Sequence, residues 1–173
     1  EKLEDYPRNV ELISDYPRKK IRDMHGNSLE WWIDCEQYTR VKNWAEDHNC
    51  STYMILLSAY VVLLKKYSRQ NDIIVGSPMS GRIHKDIEHV LGMFVNTVPI
   101  RCYVSDEKRC IELIEEIKTN MLDIYEYQDY PLEKMVEDIG YRSQQERSPL
   151  FDFCFIVQNT NKYDDSYDMY NFE

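Results

Sequence analysis

The stretch from Thr52 to about Tyr67 constrains this chain most, because it reads as a helix that is apolar nearly all round. Such a helix is buried on most faces, so the rest of the chain has to pack around it. Ser51 and Thr52 mark its start, since a side-chain oxygen there can accept an orphan backbone N–H. Its apolar run, Met54 to Leu64, is interrupted by Ser58 and Tyr60 and is too short to span a bilayer. Directly after it, Ile73-Ile74-Val75 stands between Asn71-Asp72 and Gly76-Ser77-Pro78, the pattern of a short strand buried on both faces.

The remaining segments supply partners for that pair. Tyr38, Val41, Trp44 and Ala45 fall at helical spacing between about Gln37 and His48. Ser28 to Glu36 carries Leu29, Trp31, Trp32 and Ile33, β-favouring residues that predict a strand. Phe94 to Val104 predicts another, with Pro99 calling for an edge or a bulge. Ile111, Leu113, Ile114, Ile117, Met121, Leu122 and Ile124 predict an amphipathic helix ending near Tyr127. A second short helix is expected over Pro131–Ile139, capped by Asp129 or Tyr130 and ended by Gly140. Phe151, Phe153, Phe155 and Val157 alternate with Asp152, Cys154, Ile156 and Gln158, a strand with one strongly apolar face. Residues 1–28 read as an extended lead-in around Tyr6-Pro7 and Tyr16-Pro17, and residues 160–173 as a mobile or truncated tail. Strands alternating with helices make an α/β or α+β unit with a mixed sheet and flanking helices.

Composition excludes several function classes. With 31 acidic and 21 basic residues the net charge is −10, which opposes binding to nucleic acid phosphates. The one basic cluster, Arg18-Lys19-Lys20 with Arg22, reads as a solvated segment. Five cysteines at wide spacing, without a C-x-x-C pair or a secretory pattern at the start, predict reduced, mostly buried thiols in a cytoplasmic protein. No membrane partner is expected.

Signatures of local catalysis are missing. The sequence has no G-x-S-x-G elbow, no Walker A loop and no G-x-G-x-x-G. His84 and His89 are five apart, a spacing that does not put two metal ligands on one helical face. No metal site is expected, and His48 reads as a cation at a helix C-terminus. Gly76 and Gly81 in Val75–Arg82 permit a turn or the close approach of another backbone. Asn96 is an amide in an apolar run. Either it ties strands together, or it points into a cavity and orients a polar substrate.

Three runs occur in order: Val90–Arg101 with Gly92-Met93-Phe94-Val95-Asn96-Thr97, then Tyr127-Gln128-Asp129-Tyr130-Pro131-Leu132-Glu133, then Arg147-Ser148-Pro149-Leu150-Phe151-Asp152. With them the chain resembles the condensation domains of nonribosomal peptide synthetases, whose G-x-F-V-N-T, H-Q-D-Y-P-F-E and R-x-P-L-F-D runs follow one another in this order. Gln70–Arg82 and Ser14-Asp15-Tyr16-Pro17-Arg18 extend the likeness over nearly the whole chain. Tyr127 and Leu132 depart from the usual His and Phe of the second run. The family's catalytic H-H-x-x-x-D-G occurs nowhere in these residues.

The resemblance implies a chloramphenicol acetyltransferase-like fold of two lobes with a tunnel between them, of which residues 1–173 would be the C-terminal lobe, shortened at its end. It implies amide formation between aminoacyl or peptidyl thioesters, with no catalytic residue in this chain and no directly bound cofactor. Phosphopantetheine arms of donor and acceptor carrier proteins would enter the tunnel, with an adenylation domain nearby. Met93, Phe94, Asn96 and Thr97 would lie near the tunnel and lobe junction, Asn96 on the acceptor side. Ser80, Gly81 and Arg82 would form another junction element, with Arg82 able to hold carboxylates of the N-terminal lobe. Two other readings remain: a non-catalytic module that recruits carrier proteins or enzymes, and an ester-forming acyltransferase of the same fold. An uncovered junction face should promote self-association.

Overall fold

The computed structural model describes residues 3, 5, 7, 10–16, 25–82, 84–87, 89–141 and 147–158. The basic cluster at 18–22 and the tail at 160–173 lie outside them.

Helix α1 spans Cys35–Asp47, and its cap Asp34 accepts a 2.7 Å bond from the Gln37 backbone. Helix α2 spans Thr52–Ser68, with Ser51 accepting from Met54 N at 3.2 Å. It stops at Arg69, which adopts a left-handed φ of 60°. Strands β1 (Asp72–Met79) and β2 (Asn96–Tyr103) pair antiparallel, from Asp72 opposite Tyr103 to Met79 opposite Asn96. Helices α3 (Cys110–Tyr127) and α4 (Leu132–Asp138) follow, and a 3-10 turn at Lys85–Ile87 lies in the β1–β2 connection.

Side-chain alternation along β1 divides the core. Ile73 and Val75 face α2 and α3, joining Leu57, Val61, Leu64, Ile100, Leu113, Ile117 and Met121. Ile74 faces the other way, onto Leu150 and Phe151 with Leu132, Met135 and Val136 of α4. The strand is therefore buried on both sides, as its sequence predicts. Pro99 sits in β2, which has no further strand on its outer side among the described residues. Residues 153–155 lie along the opposite side of β1, where Gly76 N donates to Phe153 O (2.8 Å) and Phe155 N to Gly76 O (2.9 Å). That contact is one parallel bridge rather than the strand expected over Phe151–Gln158, though the apolar alternation holds.

Four further expectations need correction. Ser28–Glu36 forms no strand: residues 28–34 are irregular and exposed, with Trp31 and Trp32 at 82% and 89%, α1 already begins at Cys35, and among the described residues no strand edge pairs with the segment. Helix α2 is not covered all round. Met54, Leu57, Ser58, Val61 and Leu64 are buried, while Ala59, Leu63 and Tyr67 face solvent, since α1, α3 and β1 pack against only part of it. Helix α4 starts with Pro131 at the cap position and no side-chain cap bond, so neither Asp129 nor Tyr130 plays that part. Of the cysteines only Cys102 is fully buried, and Cys35, Cys110 and Cys154 are exposed.

Candidate functional site

The two groups singled out in the sequence meet at one end of the β1–β2 pair. Because Met79 stands opposite Asn96, the segment leaving β1 (Ser80, Gly81, Arg82) lies beside the segment entering β2 (Met93, Phe94, Asn96, Thr97). Gly81 has φ of +63°, and a Cβ built there would come within 1.9 Å of the Phe94 carbonyl oxygen. A side chain cannot occupy that space, so glycine is what lets the two ends of the connection cross.

Arg82 organises the connection itself. Its guanidinium donates to the carbonyls of Ile87, Val90 (2.9 Å) and Gly92 (3.3 Å), and lies 4.5 Å from the centre of the Phe94 ring. These carbonyl bonds place the charge on its own loop. The expected use of Arg82, holding carboxylates of another lobe, would have to share the guanidinium with this loop. The result is an apolar rim: Leu91 and Met93 are 99% and 93% exposed, and Val90 and Val95 are also exposed. Ser80 is exposed, while Phe94 and Thr97 are half-buried.

Asn96 is spent on structure. Its side-chain amide donates to the carbonyls of Gln128 (2.7 Å) and Tyr130 (2.8 Å), tying the start of β2 to the α3–α4 turn. The sequence leaves open a tie between strands or an amide aimed into a cavity; these bonds instead tie a strand to a turn between two helices. The same turn belongs to the Tyr127–Glu133 run, so two of the three sequence runs meet through this one side chain.

The third run closes the opposite side of the sheet. Arg147 lies 3.5 Å from the largely buried Asp152 carboxylate and 3.2 Å from Glu11. The Phe151 ring lies against Gly76, where a Cβ would come within 2.3 Å of it. Sequence reasoning did not single out the adjoining Tyr53–Ser77 link. The Tyr53 hydroxyl donates to Ser77 Oγ (2.7 Å), which donates to Phe155 O (3.0 Å). Burial pushes the Tyr53 phenol up, opposed by the bond to Ser77. A tyrosine on a helix face carries no local signal that it will reach a strand residue 24 positions away.

Chemistry elsewhere is sparse. His84 and His89 are exposed, and His48 caps α1, stacked on Trp44 with ring centres 3.8 Å apart. Among the described residues no group of three or more His, Cys, Asp or Glu side chains is placed to hold a metal. Among the same residues no helix is long and apolar enough to cross a membrane. Burial raises the Cys102 thiol to about 12, leaving it a poor nucleophile. The site is thus a surface formed by one loop and one turn, with an apolar rim and no nucleophile–base pair identified among its residues.

The family model for the condensation domain matches residues 1–172. The chain belongs to the condensation-domain family. It is 39% identical over 164 residues to bacitracin synthase 3 of Bacillus licheniformis, covering 95% of this chain and 3% of that protein. It is 40% identical over 153 residues to surfactin synthase subunit 1 of Bacillus subtilis (strain 168), covering 88% of this chain and 4% of that protein. The chain therefore spans only a few per cent of the length of these relatives. Among solved structures, a four-domain nonribosomal peptide synthetase bound to AMP and glycine superposes with a TM-score of 0.84 at 22% identity, covering 91% of this chain and 12% of that one. The X-domain from teicoplanin biosynthesis, in complex with OxyB, gives 0.82 at 19% identity, covering 88% of this chain and 34% of that one. The helices packed around an antiparallel strand pair fit the chloramphenicol acetyltransferase-like fold expected of condensation domains, although among the described residues the sheet is antiparallel and two-stranded rather than mixed.

Proposed function

We propose that this condensation-domain chain acts as the C-terminal lobe of an amide-forming enzyme, with the catalytic histidines supplied by residues outside 1–173. The observation that carries this reading is the apolar rim of Leu91 and Met93, set by Arg82 and Gly81 beside the family's F-V-N-T run. Apolar residues this exposed on a fixed loop are suited to being covered by another surface. The absence of H-H-x-x-x-D-G from residues 1–173 supports the same view. In this reading carrier proteins present donor and acceptor thioesters on phosphopantetheine arms, an adenylation domain loads them, and the work is done in the cytoplasm. Ser80–Arg82 and Met93–Thr97 line the lobe junction, where Asn96 holds the adjoining turn instead of touching substrate.

The test is product analysis by mass spectrometry with the enzyme that contains this chain, offering carrier-bound amine and alcohol acceptors separately. Amide from the amine acceptor alone supports the reading. Ester from the alcohol would assign an ester-forming acyltransferase instead. A recruiting module is favoured by one observation, that a domain of this fold forms a complex with OxyB. That alternative predicts no product with either acceptor.

A further inference from the structure

Helix α4 differs from α3 in how it is held. None of its seven residues is buried, whereas α3 buries Leu113, Ile114, Ile117 and Met121. Leu132, Met135, Val136 and the adjoining Ile139 are half-covered against Ile74, Leu150 and Phe151, with Leu3 of the lead-in packed on the same cluster. Seven residues close too few backbone bonds to repay nucleation, so α4 is helical because of what it leans on. Between α3 and α4 lies a trough of about 670 Å³, with Ile124 on one side, Met135 and Ile139 on the other, and Val98 and Pro99 below. Open space thus stands where packed side chains would couple the two helices.

Polar ties set the position of α4. The Tyr130 hydroxyl donates to Asp138, which joins the α3–α4 turn to the far end of the helix and makes turn and helix one piece. Asn96 holds that piece from outside, through the carbonyls of Gln128 (2.7 Å) and Tyr130 (2.8 Å). The helix has no side-chain bond at its own cap. Beyond it, Gly140 holds φ +66°, and a Cβ built there would meet nothing within 4 Å. An unobstructed glycine after the helix and a side-chain amide before it describe a hinged part and its catch.

We propose that the segment Gln128–Gly140 is a lid over the trough that opens as a unit, with Asn96 as its catch. Opening breaks the Asn96 bonds and the contacts with Ile74, Leu150 and Phe151, while α3 and the β1–β2 pair stay folded. Because Asn96 also begins β2, just after Met93 and Phe94, the catch links the lid to the exposed end of the β1–β2 connection. The device needs no condensation chemistry, so either reading can fail without the other.

Amide hydrogen exchange on the whole chain, in water and in low urea, tests this. Amides of Met135–Ile139 should exchange at least about tenfold faster than those of Leu113–Met121. Their rates should barely respond to urea, because a lid exposes little surface, whereas the α3 amides should speed up with it. Asn96→Ala should speed the α4 amides roughly fivefold or more, since its bonds are among those that opening breaks. Ile117→Val, in the α3 core, should speed the α3 amides several-fold and leave the α4 amides unchanged. One urea dependence for both helices would overturn the proposal. So would Ile117→Val speeding both sets alike, or Asn96→Ala leaving the α4 amides untouched. The wild-type and Ile117→Val arms decide the matter even if Asn96→Ala fails to fold.

Discussion

Gly81 and Gly140 both hold left-handed backbone, φ +63° and +66°, yet they differ in what surrounds them. A Cβ at Gly140 meets nothing within 4 Å, whereas one at Gly81 strikes the Phe94 backbone. Gly140→Ala should therefore cost only the conformational penalty, ~1 kcal/mol, and Gly81→Ala at least ~2 kcal/mol because the loop must also move. Urea unfolding compares the two, and equal losses would contradict the close approach. Cys102 makes a second prediction. Its folded thiol is raised from 9.0 to about 12 by burial first, with Glu116 adding to the rise. A raised group adds stability that is complete below its unfolded value and is lost as pH climbs toward the folded one. The chain should lose stability between pH 9 and about 12, and Cys102→Ala should show a shallower decline over that window. Asn96→Ala removes two amide bonds to carbonyls and should cost ~1–3 kcal/mol. Hydrogen exchange localises that loss, with faster exchange expected around the Gln128–Tyr130 turn.

At the scale of elements, what could be read in advance was what depends on near neighbours. The start of α2 was legible because a cap is a bond across three residues, and Ser51→Ala should cost ~1 kcal/mol in thermal or urea unfolding. The buried strand at Ile73–Val75 and the helix ending at Tyr127 were legible for the same reason, through their periodicity. Ser28–Ile33 was not. Its residues favour a strand, but a strand needs an edge to pair with, and β-propensity reports packing more than backbone preference. Covering that segment with a strand is expected to slow exchange of its amides, which in the chain alone should exchange fast. The site divides in the same way. The sequence runs mark Ser80–Arg82 and Met93–Thr97, while the antiparallel register that brings them together, and the carbonyls that engage Arg82 and Asn96, belong to tertiary structure.

On the scale of the whole molecule, exposed apolar groups recur in several places: Trp31 and Trp32, Leu63 and Tyr67 on α2, and Leu91 and Met93 on the β1–β2 connection. Contiguous apolar patches on a protein surface mark interaction sites or association. The isolated chain is accordingly expected to self-associate with rising concentration in sedimentation velocity, and Leu91→Glu with Met93→Glu should reduce it. The most direct measurement supplies purified chain with donor- and acceptor-loaded carrier proteins, with and without a separately expressed N-terminal lobe bearing H-H-x-x-x-D-G. No amide is expected from the chain alone, and amide once that lobe is added. Turnover by the chain alone would contradict the C-terminal-lobe reading.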